Sequence, residues 1–346
     1  MQKSFRFVLL ALLCISQAQA YDLGGIAEQH VLPVYRALAQ QTAQLQRSAE
    51  DYCASPSPQG LQLLHDHFRD AFLAWQGAQH LRFGPVQYLL REHRFAFWPD
   101  KRGSVGKHLA QLLQDPALAT DDFDISQKSV AVQGFSALER LLFAASAPTA
   151  PECRVVTAIA INLDQMANSL VHDWVSGEEP YLDMFVRPGP DNPMFESEQE
   201  LAGQLLNSLS TQLELIVTQK LARPLGSGLA KARGKRAEGW RSQTSLASVS
   251  ANLAACQDLY QSAFAAQLQA AEQGAGLHAS IQMGFDQAQR AVARIVLTLP
   301  EAVGDSAQRA LVEQLQAELA VLQGLVANDL AGALGLTLGF NSLDGD

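Results

Sequence analysis

The chain has 346 residues, 48% hydrophobic and 17% charged, with a formal net charge of −10 at pH 7. That length is enough for two ordinary domains with sizeable cores. The acidic balance argues against nucleic acid or anionic lipid as a partner held by charge.

Residues 1–20 read as a secretory leader. Lys3 and Arg6 supply a positive start, Phe7 to Ile15 an apolar run, and Ala18-Gln19-Ala20 a cleavage site. The apolar run is too short to span a bilayer. Leu13 stands before Cys14 where a lipoprotein leader needs a small residue. The expectation is an exported chain that begins at Tyr21, keeps a charge of about −12 once Lys3 and Arg6 are removed, and lies in the periplasm or at the outer-membrane periphery. No transmembrane segment is expected in the mature chain.

Beyond the leader, helical periodicity runs almost throughout, with few β-branched runs and no hairpin alternation. A first helix is predicted over 26–52, with Leu32, Tyr35, Leu38 and Leu45 as its apolar stripe. A second follows over 59–81. Short helices over 86–92 and 104–113 flank a Trp98-Pro99-Asp100 loop. A helix over 125–143 places Phe135, Leu138 and Leu142 toward a core and Ser136 and Glu139 together on the neighbouring face. Helices over 153–174 and 196–221 close the first half. Pro224, Gly226, Gly228, Gly234 and Gly239 then break the pattern. They set a boundary between a first domain over 21–222 and a second over 223–346. Helices over 245–267, 277–299 and 306–334 complete the second domain. The expected fold is all-α: two helical bundles side by side, with an ancient duplication as one origin.

Three cysteines follow the leader. Cys53 and Cys153 each lie beside a Pro-rich turn and are expected to pair, while Cys256 is mid-helix and expected to be a buried free thiol. Three free thiols are the alternative. Lys231, Arg233, Lys235 and Arg236 form a basic cluster in an otherwise acidic chain. Its glycines are spaced one residue too far for a phosphate loop, and Arg236 replaces the Ser/Thr such a loop needs, so nucleotide binding is rejected. A solvated linker and the capture of an anionic ligand or acidic partner both remain open.

The stretch Gly134-Phe135-Ser136-Ala137-Leu138-Glu139 resembles the GxHxxE motif of the imelysin family, with serine in place of histidine. Three further segments resemble that family in the same order. The first is Trp75 to Pro85 with Arg94 to Lys101. The second is Arg223 to Gly226 with Glu238 to Ser245, and the third is the ending Gly339 to Asp346. The resemblance implies a helical fold and a functional cleft at the junction of the two halves. Gly134, Ser136, Glu139, Arg94, Trp98, Asp100 and Trp240 would form it, with Asn341, Asp344 and Asp346 as a lid. It also implies a divalent metal, iron or zinc, with Glu139 as a ligand. Serine is a poor ligand beside imidazole, so the expected hold is weak. His80 and His93 are the candidates to supply more ligands near Glu139. On spacing alone, Ser136 and Glu139 read more readily as a hydrogen-bonded pair flanking a core helix than as a ligand pair.

Two functions follow. One is a non-catalytic envelope protein of iron or metal acquisition, binding a metal, a chelate or an envelope protein. The other is a metal-dependent peptidase of the imelysin type. No HExxH or CxxCH sequence occurs, which removes the usual zinc-peptidase helix and covalent haem attachment.

Overall fold

The computed structural model describes residues 20–120 and 122–339. Among these, every regular element is helical and no strand occurs. Asn341, Asp344, Asp346 and residues 1–19 of the leader lie outside the described residues.

Helices α1 (Leu32–Ala54), α2 (Pro58–Ala78), α3 (Phe135–Leu142) and α4 (Ala150–Val175) pack as one group. In α1, Leu32, Tyr35, Leu38, Thr42, Leu45, Ala49 and Tyr52 are buried at spacings of three or four residues, which lays one stripe against α2 and α4. Ser57 starts α2 by accepting the Gly60 N–H at 3.1 Å, with Pro58 in the first turn. Thr149 and Glu152 form a capping box that starts α4. A Cys53–Cys153 disulfide, with Cα atoms 5.4 Å apart, ties the end of α1 to the start of α4. Cys256 is a buried free thiol.

Helices α5 (Glu198–Leu215), α6 (Ser245–Ala263), α7 (Gly274–Ala293) and α8 (Ser306–Gly324) form the second group. In packing terms this group begins at Glu198, ahead of the Gly/Pro-rich segment where the sequence placed the boundary. The reason is that α5 buries Leu201, Leu205, Leu206, Leu209 and Leu213 in contact with α6 and α8. The two groups meet where α2 packs on α6.

Three long helices contain a π-turn, at Ala27–Val31, Ile216–Leu221 and Leu325–Leu330. Residues 306–334 form one helical run that is long and apolar enough, by length and composition, to cross a membrane. This corrects the expectation that no such run follows the leader. Its buried residues Val312, Leu315, Leu319, Leu322, Val326 and Leu330 repeat at helical spacing, and the run packs on α5 and α7. Only 28% of its apolar window is buried, so packing in the bundle accounts for part of that composition and not the whole.

The predicted helix over 125–143 is the largest local correction. Short 3₁₀ turns at Ile125–Gln127 and Val130–Val132 precede α3, which starts only at Phe135. Asp124 and Ser129 accept the backbone N–H groups of Ser126 and Ala131 and so hold the chain in tight turns. Gly134 then caps α3 in an extended conformation.

Candidate functional site

Helix α3 lies at the seam between the groups. Phe135 and Leu138 are fully buried, and Phe135 meets Phe68 and Phe72 of α2 edge-on at centroid distances of 6.0 and 5.5 Å. Burying each such side chain stabilises by roughly 1.5–3 kcal/mol, which fixes the rotation of α3 about its axis. The neighbouring face, with Ser136 and Glu139, then lines a cleft of about 340 Å³ closed on its far side by residues 235–241.

Gly134 sets how closely α3 approaches the preceding loop. A Cβ there would run into the carbonyl oxygens of Arg94 and Phe95. The Arg94 side chain does not reach the cleft. Its guanidinium donates to Gln133 Oε1 at 2.6 Å and Asn162 Oδ1 at 3.3 Å, while Asn162 donates to the Gln133 carbonyl at 2.8 Å. Arg94 thus positions the turn leading into α3 from behind.

Glu139 is 8% exposed and reaches across the seam. Its Oε1 accepts the N–H groups of Arg241 and Ser242 at 3.1 and 3.0 Å and the Ser242 hydroxyl at 2.7 Å. Burial pushes its carboxyl above the usual carboxylate range, against the opposing pull of the Ser242 hydrogen bonds and the nearby Arg241. An acid with a raised folded-state value contributes stability that is complete at low pH and is lost as pH rises through that value. Glu139→Gln keeps an oxygen for the same donors but does not titrate. The wild type should therefore lose stability relative to this variant as pH rises from 4 to 7. Parallel thermal melts would check this, and a gap that is constant with pH would refute it.

Trp98 and Asp100 also line the cleft, and together with Phe97 they separate it from a neighbouring one of about 440 Å³ that contains Trp75 and His93. Both Asp100 oxygens are engaged, accepting the Ser104 and Val105 N–H groups at 2.8 and 3.0 Å. Trp240 lies under two cations, Arg241 at 4.1 Å and Lys235 at 5.4 Å from the ring centroid.

Behind the cleft is a buried network on which the motif reading was silent. Lys220, on the second π-turn, pairs with Glu238 at 2.7 Å and donates a short hydrogen bond to the Gln76 side chain. Gln76 donates to Glu238 at 3.2 Å, and Asn252 of α6 donates to the Gln76 carbonyl at 2.6 Å. Glu238, Arg241 and Ser242 all belong to the Glu238 to Ser245 segment.

The histidines lie elsewhere. His80 is buried against His30, their Nε2 atoms 2.7 Å apart, and burial pushes His30 down to about 4. His93 lines the neighbouring cleft. His65 bonds the Leu142 carbonyl at 2.8 Å, and His108 bonds Ser129 at 2.7 Å. Among the described residues, no group of three or more His, Cys, Asp or Glu is placed to hold a metal ion. A neutral serine beside a glutamate whose Oε1 already accepts three hydrogen bonds is a poor fit for a bare divalent cation.

A family profile described as Peptidase_M75, Imelysin, matches residues 31–326. The iron-regulated protein A of Synechococcus elongatus is 24% identical over 203 residues, which make up 58% of this chain and 54% of that protein. The chain thus spans about half the length of the curated relative it matches. An imelysin-like protein from Psychrobacter arcticum 273-4 superposes with a TM-score of 0.73 at 24% identity, covering 92% of this chain and 96% of that one. An iron-regulated protein A precursor from Parabacteroides distasonis ATCC 8503 gives 0.72 at 15% identity, covering 88% and 92%. Both structural likenesses concern the fold.

Proposed function

Because the chain belongs to the imelysin family, we propose that it is a non-catalytic binding protein of the cell envelope. In this reading it serves iron or other metal supply through the cleft beside Ser136. Two of its relatives carry iron regulation in their names. The observation that carries the non-catalytic reading is the state of Glu139. Its Oε1 holds the Arg241–Ser242 backbone and hydroxyl, so it acts as a strut across the seam. A peptidase needs an activated nucleophile or a metal-bound water. Ser136 has no histidine beside it to take its proton: His80 and His30 bond each other, and His65 and His108 bond α3's last carbonyl and Ser129. The iron reading favours a complexed metal over a bare ion, since the donor set does not suit the ion.

Two measurements test this. Cells lacking the protein should hold less iron and grow more slowly under iron starvation than cells with it restored. Purified protein supplied with zinc should leave casein intact. Unchanged iron content would overturn the supply role. Casein cleavage abolished by Ser136→Ala would replace the reading with the peptidase one.

A further inference from the structure

Five cations line the cleft: Arg140, Arg223, Lys235, Arg236 and Arg241. Its three carboxylates are all engaged by other groups. Asp100 caps the helix Ser104–Leu112, Glu139 holds the Arg241–Ser242 backbone, and Glu238 pairs with Lys220. None of the five cations forms an ion pair with a described carboxylate.

The cations are also held in place. Arg241 and Lys235 stack on Trp240. The Arg140 guanidinium packs over Gly106, where a Cβ would come within 2.9 Å of its Cζ. Arg223 Nη1 is buried without a hydrogen-bond partner. Burial, and after it the Arg236 charge, weakens the hold of Arg223 on its proton, and burial followed by Arg140 does the same to Arg241, against the opposing pull of Glu139. Five like charges converge here against three carboxylates already engaged elsewhere, Glu139 among them opposing Arg241, and an anion would relieve both the remaining repulsion and the orphaned donor.

We propose that this cleft is an anion site, taking a small polyanion with two or more carboxylate or phosphate groups through Arg140, Arg223, Arg236, Arg241 and Lys235. Guanidinium forks match both groups in bidentate geometry. The cleft volume of about 340 Å³ is at the small end of ligand-sized pockets. Gly234, Lys235 and Arg236 form a turn that packs on the Pro300 backbone, so the basic cluster borders the cleft on a fixed support. The proposal rests on the cleft being the binding site. It deepens that reading by naming the ligand chemistry, and a negatively charged ferric chelate satisfies both.

Calorimetric titration of the mature chain at low salt with citrate, ferric citrate and pyrophosphate tests it. Zinc and ferrous ion alone serve as separate arms. At least one anion should bind stoichiometrically. Binding should weaken with salt, and by about tenfold or more in Arg223→Gln and Arg241→Gln, as for the loss of a charge-assisted hydrogen bond. Arg236→Gln, at an exposed position, provides the same test with little risk to folding. Arg187→Gln, remote from the cleft and 78% exposed, should bind like the wild type. The anion site is overturned if none of the three anions binds at millimolar concentration, or if the cleft variants bind as the wild type does. Zinc or ferrous binding without anion binding would overturn it while leaving the metal-supply reading in place. Equal binding of citrate, ferric citrate and pyrophosphate would support the anion site and count against iron as the cargo.

Discussion

Lys220→Met should lower the unfolding free energy by about 3–5 kcal/mol, the usual cost of removing one partner of a buried ion pair. Lys220 and Glu238 have side chains only 2% and 5% exposed, with 2.7 Å between Nζ and Oε2. Removing the ammonium leaves a carboxylate at the seam with Gln76 as its remaining described partner. It also strips the Gln76 oxygen of its donor. The double variant Lys220→Met/Glu238→Leu removes both charges and should be less destabilised than Lys220→Met alone, since a buried pair can often be replaced by apolar groups at little cost. Urea unfolding of the wild type, Lys220→Met, Glu238→Leu and the double variant completes a double-mutant cycle. A single-variant loss below about 1 kcal/mol would mean that water reaches the pair and that the seam does not depend on it.

Gly134→Ala should cost more than about 3 kcal/mol, beyond the ordinary range for overpacking. The backbone angles there are open to any residue, so the effect is not one of dihedral strain. What forbids the methyl is contact with two carbonyl oxygens, those of Arg94 and Phe95. Backbone oxygens cannot swing aside as a side-chain tip can. Either α3 moves off the loop, or the loop gives up the Arg94–Gln133–Asn162 bonds that shape it. A melting temperature within a few degrees of wild type would show that α3 tolerates the displacement, and that the glycine is there for another reason.

The helices themselves were legible because their apolar stripes repeat at the right period: Leu32, Tyr35, Leu38 and Leu45 identify α1 from sequence alone and are buried in it. The start of α3 was not legible. Periodicity continues back through Ile125, whereas Asp124 and Ser129 use their side chains to hold 3₁₀ turns that a hydrophobic pattern does not register. Ser136, Glu139, Trp98, Asp100 and Trp240 line one cleft, whereas Gly134 does not line it and instead sets how closely α3 approaches the preceding loop. Arg94 does not line it either, because its guanidinium turns inward to Gln133 and Asn162. The partners of Glu139 lie 102 and 103 residues away, a separation over which no local pattern carries information. The Glu238 to Ser245 segment could be recognised as a motif, yet only the tertiary fold reveals that it meets α3. The basic cluster was visible as charge, while its place on the cleft wall depends on the same long-range packing.

The three π-turns bear on heredity. A π-turn is an α-helix with one residue too many for its hydrogen-bond ladder, and it survives where the extra residue aims a side chain that the regular helix would point elsewhere. His30 and Lys220, both buried polar groups, sit on two of these turns. A relative with an uninterrupted helix at Ile216–Leu221 would therefore differ by a single-residue deletion in the middle of a helix, where insertions and deletions are otherwise rare. It would lose the lysine from the seam together with the residue. Such one-residue gaps, falling opposite a missing lysine, would mark lineages in which the junction was rebuilt.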